Sequence, residues 1–83
     1  MPPSSISVEA IITLLTEQEI LPESEKIEAE SDLFALGLDS LATMQLLLHM
    51  EKQFFVSIPQ EQISHKNLST PANLAAWMQR LVG

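Results

Sequence analysis

Residues 37–50 read GLDSLATMQLLLHM, a stretch that sets one hydroxyl, that of Ser40, at the mouth of an unusually apolar helix. Asp39 and Ser40 both favour helix starts, because their side-chain oxygens accept from the unpaired N–H groups of a first turn. A helix is therefore predicted to begin here. A phosphate ester on Ser40 would lie beside free backbone donors and the positive end of the helix dipole, which suits a negative charge. With Ser40 at zero and about 100° per residue, Thr43, Leu46, Leu47, Met50 and Phe54 gather on a face centred near ~290°, the expected core face. Leu41, Met44 and Leu48 fall at roughly 40–100°, on the Ser40 side. A surface helix of a small bundle normally carries one apolar face, so this second strip is expected to meet a partner or a tethered chain.

Upstream, Gly37 can take backbone angles that other residues avoid, which lets the chain turn sharply into Ser40. The connection over residues 21–39 is longer than the usual link between bundle helices and is expected to pack, with Leu33 and Leu36 as anchors. Phe34 there either packs the loop or borders the serine. Glu23, Glu25, Glu28 and Glu30 lack a ligand spacing for a metal and read as solvated loop charges. A first helix is predicted from a Ser7 cap to about Glu19, with Val8, Ile11, Ile12 and Leu15 inward and Pro22 at or just past its end.

Downstream, the central helix is predicted to run from Ser40 to Phe54 or Phe55, where Val56-Ser57-Ile58-Pro59 breaks it and Ile58 points inward. A short helical turn over Gln60–Ser64 follows, held by packing of Ile63, and Leu68 plugs the core from the next loop. The last helix opens with Thr70 as cap and Pro71 in its first turn, and carries Leu74, Met78 and Leu81 on one stripe with Trp77 at the core edge. Met44, beside Ser40, is expected to be exposed, and the other methionines fill gaps. The predicted fold is all-α: a small four-helix bundle with a long loop between helices 1 and 2 and a short third helix. It forms one domain over residues 1–83, frayed over 1–5.

Composition narrows the function. The 83 residues contain no cysteine, so any thiol must come from a prosthetic group. A net charge of −7 with four Lys and Arg in all argues against nucleic acid. Nine acids and one Lys lie in residues 1–39, whereas residues 40–83 hold two acids, two Lys and one Arg, so the acidity sits ahead of the serine. It either solvates that face or steers a basic partner. No stretch approaches ~20 apolar residues and MPPSSISVEA has no signal pattern, so a cytoplasmic monomer away from the membrane is expected.

The run LFALGLDSL resembles the modification site of acyl carrier and peptidyl carrier proteins, and the likeness covers nearly the whole chain. It runs from Asp32-Leu33 through Leu36-Gly37, Ser40-Leu41, Phe54, Ile58-Pro59 and Leu68 to the last helix. The resemblance implies a covalent 4′-phosphopantetheine, taken from coenzyme A, on the serine of the D-S-L triplet, here Ser40 next to Asp39. A phosphopantetheinyl transferase with Mg²⁺ would attach it. Its terminal thiol would hold acyl or aminoacyl groups as thioesters for a loading (adenylating) enzyme and for condensing, modifying or releasing enzymes. Leu41, Met44 and Leu48 would then be the docking strip.

An intrinsic enzyme fits poorly. His49 lies about 180° around the helix from Ser40 and roughly 13 Å along it, and GLDSL lacks the flanking glycines of a nucleophile elbow. His65 has no support as a base. Carriers of fatty-acid type usually place several acids along the helix after the triplet, whereas ATMQLLLHMEK offers Glu51 and then Lys52. The segment IPQEQISHKNLSTPANLAAWM is more similar to stand-alone carriers of specialised polyketide or nonribosomal peptide assembly. A fatty-acid carrier, or an unmodified scaffolding domain, is the alternative.

Overall fold

Asp32 begins the turn that delivers the chain to the central helix. Its Oδ1 accepts from the N–H groups of Phe34 (3.1 Å) and Ala35 (3.4 Å), closing one helical turn. That turn ends where Gly37 takes φ 112, Gly37 N–H donates to Phe34 O (3.2 Å) and Leu38 N–H to Leu33 O (3.0 Å). This is a Schellman ending, with its usual apolar contact made by two buried residues, Leu33 and Leu38. Gly37 is required, because a Cβ is disfavoured at that φ. Leu38 and the extended Asp39 then lead directly into α2.

The computed structural model describes residues 6–21 and 26–82. The predicted lead-in over 1–5, the Pro22 stop and the loop acids Glu23 and Glu25 lie outside the described residues. Among the described residues the order is α1 (Val8–Glu17), α2 (Ser40–Phe54), a 3₁₀ turn (Gln60–Gln62), α3 (His65–Leu68) and α4 (Pro71–Val82), with no strand. The all-α, four-helix expectation holds. α4 packs against α1 and α3, while Ala42, Leu46 and Met50 bring α2 into the same core.

Ser7 caps α1 by accepting from Ala10 N–H at 3.1 Å, as expected. The helix stops at Glu17 rather than about Glu19, because Glu19 turns left-handed (φ 51) and Ile20 N–H reaches back to Leu15 O at 3.1 Å. Leu14 joins Ile11 and Leu15 as buried residues, whereas Val8 and Ile12 are half-buried. α2 closes in a related way. Phe55 is left-handed at φ 56, ψ 50, a conformation costing a non-glycine residue roughly 1–2 kcal/mol, and Phe55 and Val56 both donate to Glu51 O.

The long connection is sewn to the other end of the chain by two backbone bonds. Leu33 N–H donates to Ser69 O (2.8 Å), and Ala72 N–H, an unpaired donor of α4's first turn, bonds Ala29 O (3.0 Å). Leu33 is fully buried and Leu36 half-buried, as their anchoring role requires. The short third element differs from the single turn expected over Gln60–Ser64. Ser64 recaps the chain by accepting from Asn67 N–H at 3.2 Å, so a 3₁₀ turn is followed by a separate one-turn helix that ends on buried Leu68.

Trp77 corrects a second expectation. It lies at the core centre with no exposed surface, and its Nε1–H donates to Gln62 Oε1 at 2.8 Å. The indole thus anchors the 3₁₀ turn, which is too short to hold itself. Thr70 caps α4 by accepting from Asn73 N–H at 3.0 Å.

Two stability outcomes follow from this packing. Leu46→Ala should cost about 2–5 kcal/mol in denaturant unfolding followed by Trp77 fluorescence, whereas Leu41→Ala should stay within about 0.5 kcal/mol. Equal losses would mean that the Ser40-side strip is core. Gly37→Ala should cost about 1–2 kcal/mol without removing any packed side chain.

Candidate functional site

Two adjacent helix-starting residues divide the work at the head of α2. Asp39, extended at φ −99 and ψ −170, takes the cap: its Oδ1 accepts from Ala42 N–H at 2.9 Å and its carbonyl from Thr43 N–H at 2.8 Å. Ser40 is thereby released from capping. It is the first helical residue, it is exposed, and among the described residues its hydroxyl has no hydrogen-bond partner. The N–H groups of Ser40 and Leu41 are likewise unpaired among the described residues. One free hydroxyl therefore stands at the positive end of a fifteen-residue helix.

A groove opens beside this hydroxyl. Phe34, Leu38, Thr43, Met44, Leu47 and Ile63 wall about 550 Å³, with Asp39 and Ser40 supplying its polar rim. Sharing Met44, Leu47 and Ile63, a second hollow of about 420 Å³ continues towards Leu48, Glu51 and Ile58. The two form an apolar trough along α2. On the other flank a smaller hollow of about 280 Å³ places Glu19 and Asp39 around Leu41 and Gly37.

Phe34 fills both roles left open for it. It is half-buried, and it forms the groove wall while stacking on His65 with ring centroids 4.4 Å apart and planes 10° apart. His65 is thus held against an aromatic ring, and it makes no hydrogen bond to Ser40 among the described bonds. His49 is half-buried on α2. Ile63 as a groove wall, and His65 as its aromatic brace, are residues that sequence reasoning missed. Their positions depend on where the short elements dock, which no local pattern encodes.

The predicted strip stands clear of the core: Leu41 is 66 %, Met44 61 % and Leu48 58 % exposed. Within the predicted core face, Leu46 and Met50 are fully buried, while Thr43, Leu47 and Phe54 are only half-buried. Ala42 joins the core unforeseen. Glu51 is half-buried at the edge of the second hollow, where its Oε2 accepts from Ile58 N–H at 2.9 Å. Among the described residues no three acidic or histidine side chains converge to hold a metal ion. No helix among them is long and apolar enough to cross a membrane.

Known proteins resemble this chain in sequence and fold. The family model described as the phosphopantetheine attachment site matches residues 9–78. The D-alanyl carrier protein of Leuconostoc mesenteroides is 32% identical over 65 residues, covering 77% of this chain and 83% of its own. The acyl carrier protein of Akkermansia muciniphila is 27% identical over 81 residues, with 96% and 99% covered. Chloroplastic acyl carrier protein 3 of Cuphea lanceolata is 30% identical over 77 residues, covering 93% of this chain and 52% of its own. The chain thus spans about half the length of the chloroplastic relatives it matches. Among solved structures, a carrier protein from Agrobacterium tumefaciens superposes with a TM-score of 0.71 at 28% identity, over 83% of this chain and 91% of that one. It was crystallised with an engineered Bradyrhizobium japonicum glycine:[carrier protein] ligase and ATP. With the family model spanning most of the bundle, the chain belongs to the family built on a phosphopantetheine attachment site, whose members bear a covalent 4′-phosphopantetheine.

Proposed function

We propose that Ser40 is the attachment point of the 4′-phosphopantetheine, and that the chain presents acyl or aminoacyl groups to partner enzymes in specialised polyketide or nonribosomal peptide assembly. The observation that carries the attachment is the division of labour at the head of α2: Asp39 caps, and the Ser40 hydroxyl is left exposed and, among the described residues, unpartnered. The surroundings fit a phosphodiester there. The unpaired N–H groups of Ser40 and Leu41 and the helix dipole favour its charge, and the adjoining trough offers apolar walls of about 550 Å³. When bound, the group supplies a terminal thiol that holds the cargo as a thioester.

The chain's own residues do the rest. Asp39 fixes the first turn, Gly37 sets the approach, and the exposed strip of Leu41, Met44 and Leu48 offers apolar contact to a phosphopantetheinyl transferase and to loading, condensing, modifying or releasing enzymes. An ATP-dependent aminoacyl ligase is the favoured loading partner, because the neighbouring carrier was crystallised with a glycine ligase and a second relative is a D-alanyl carrier protein. The scarcity of acids on α2 supports a specialised pathway: Glu51 is the one acid within the helix, with Asp39 at its cap. A fatty-acid role is the second possibility, favoured by the end-to-end match to the Akkermansia muciniphila acyl carrier protein.

Incubation with coenzyme A, Mg²⁺ and a broad-specificity transferase should add one phosphopantetheine to the wild type by intact mass and none to Ser40→Ala. Modification that survives the substitution, or is absent from the wild type, would refute attachment at Ser40.

Docking through an apolar strip also sets the response to salt. Exposed charges are screened over ~8 Å at physiological ionic strength, while apolar burial is not weakened by moderate salt. The apparent second-order rate with a loading enzyme should therefore fall less than about tenfold between low and moderate salt. A fall of several orders of magnitude, with folding unchanged, would assign recognition to the acidic first half instead.

A further inference from the structure

Four large apolar side chains are exposed among the described residues, and all belong to α2 or its cap: Leu41, Met44, Leu48 and Phe55. Phe55 is the extreme case. It is 92 % exposed, and it holds a left-handed backbone that glycine or asparagine adopts at less cost. The core makes no use of this ring. Phe55 is the residue that follows α2, so its exposed ring stands at the far end of the helix, about 20 Å along the axis from Ser40. Next to it Lys52 is exposed, while the Glu51 carboxylate is turned onto the Ile58 N–H. Lys52 thus places an exposed cation at this end of α2, where Asp39 places an anion at the other.

Side chains of this size expose on the order of 500 Å² together, below the ~800 Å² per partner that a stable interface covers. A lasting dimer of this chain is not served by such a strip, whereas brief, repeated docking to an enzyme is. We infer that Phe55 and Lys52 are a second docking anchor, engaged by the ATP-dependent ligase that loads the carrier, which presents to them an apolar socket bordered by a carboxylate. This rests on the loading function proposed above and adds where and how that partner is held. A contact confined to the Ser40 end would leave α2 free to pivot. A second contact about 20 Å along the axis fixes the helix, and with it the direction in which Ser40 faces the partner.

The test uses the full chain modified at Ser40, with the glycine:[carrier protein] ligase of Bradyrhizobium japonicum, glycine and ATP as the probe, and reads kcat and KM for the carrier. Phe55→Gly should keep or raise Tm, because glycine relaxes the left-handed cap, and should accept phosphopantetheine at the wild-type rate. Its KM should nevertheless rise about tenfold with kcat unchanged, the size of one modest anchor. Lys52→Glu should raise KM about fivefold, by a factor that shrinks as salt increases. A Phe55→Gly KM within about twofold of wild type, while Met44→Ala raises it, means that contact ends short of the cap; this overturns the second anchor and leaves the strip standing. A modified wild type that the ligase never loads overturns the anchor for this partner class. A chain that accepts no phosphopantetheine at Ser40 fails a step earlier, and attachment and anchor fall together.

Discussion

The hydrogen bond from Ala42 N–H to the Asp39 carboxylate is the contact on which the functional end of the molecule depends. It satisfies one of the four unpaired donors of α2 and holds the start of the helix at Ser40. Were the serine to cap instead, its hydroxyl would be engaged by the backbone and turned away from solvent. The preceding Gly37 ending is the complementary constraint. By closing the Asp32 turn and burying Leu38 against Leu33, it fixes the angle at which the chain enters the cap. Two local devices, each readable as a few residues, thus place one hydroxyl with little help from the core.

Much of this was legible because caps and periodicity are local. Ser7, Asp39 and Thr70 are oxygen-bearing residues immediately ahead of apolar periodic runs, and all three accept from the N–H three positions on. The faces of α2 separated cleanly because leucines recur at intervals that only a helix can sort into buried and exposed. The helix ends were mixed. Val56-Ser57-Ile58-Pro59 marked the end of α2, which falls at Phe54, whereas Glu19 turns left-handed without being glycine or asparagine, so no residue type announced the stop of α1 at Glu17.

Tertiary placement was illegible for a different reason. Trp77 was expected at the core edge, beside the stripe of Leu74, Met78 and Leu81. It is fully buried because Gln62, fifteen residues away, supplies the acceptor. The same distance effect hid the groove. Ile63 and His65 reach the neighbourhood of Ser40 only because Ser64 recaps the chain and Asn67 and Asn73 tie the short α3 to its neighbours through Gln62 O (2.7 Å) and Lys66 O (2.9 Å). The bond from Ile58 N–H to Glu51 was hidden for the same reason, since Ile58 lies beyond the helix end.

Those asparagine and tryptophan bonds give the two sides of the trough unequal stiffness. α2 contributes a long wall with a continuous backbone ladder and three residues in the core, whereas across from it Ile58, Gln60 and Ile63 stand on and around a 3₁₀ turn pinned mainly by side chains. Elements of the second kind open locally at a small fraction of the global unfolding free energy. The trough is therefore bounded unequally: the platform bearing Ser40 rests on a continuous helix, while Ile63 across from it rests on a short turn held by single side-chain bonds.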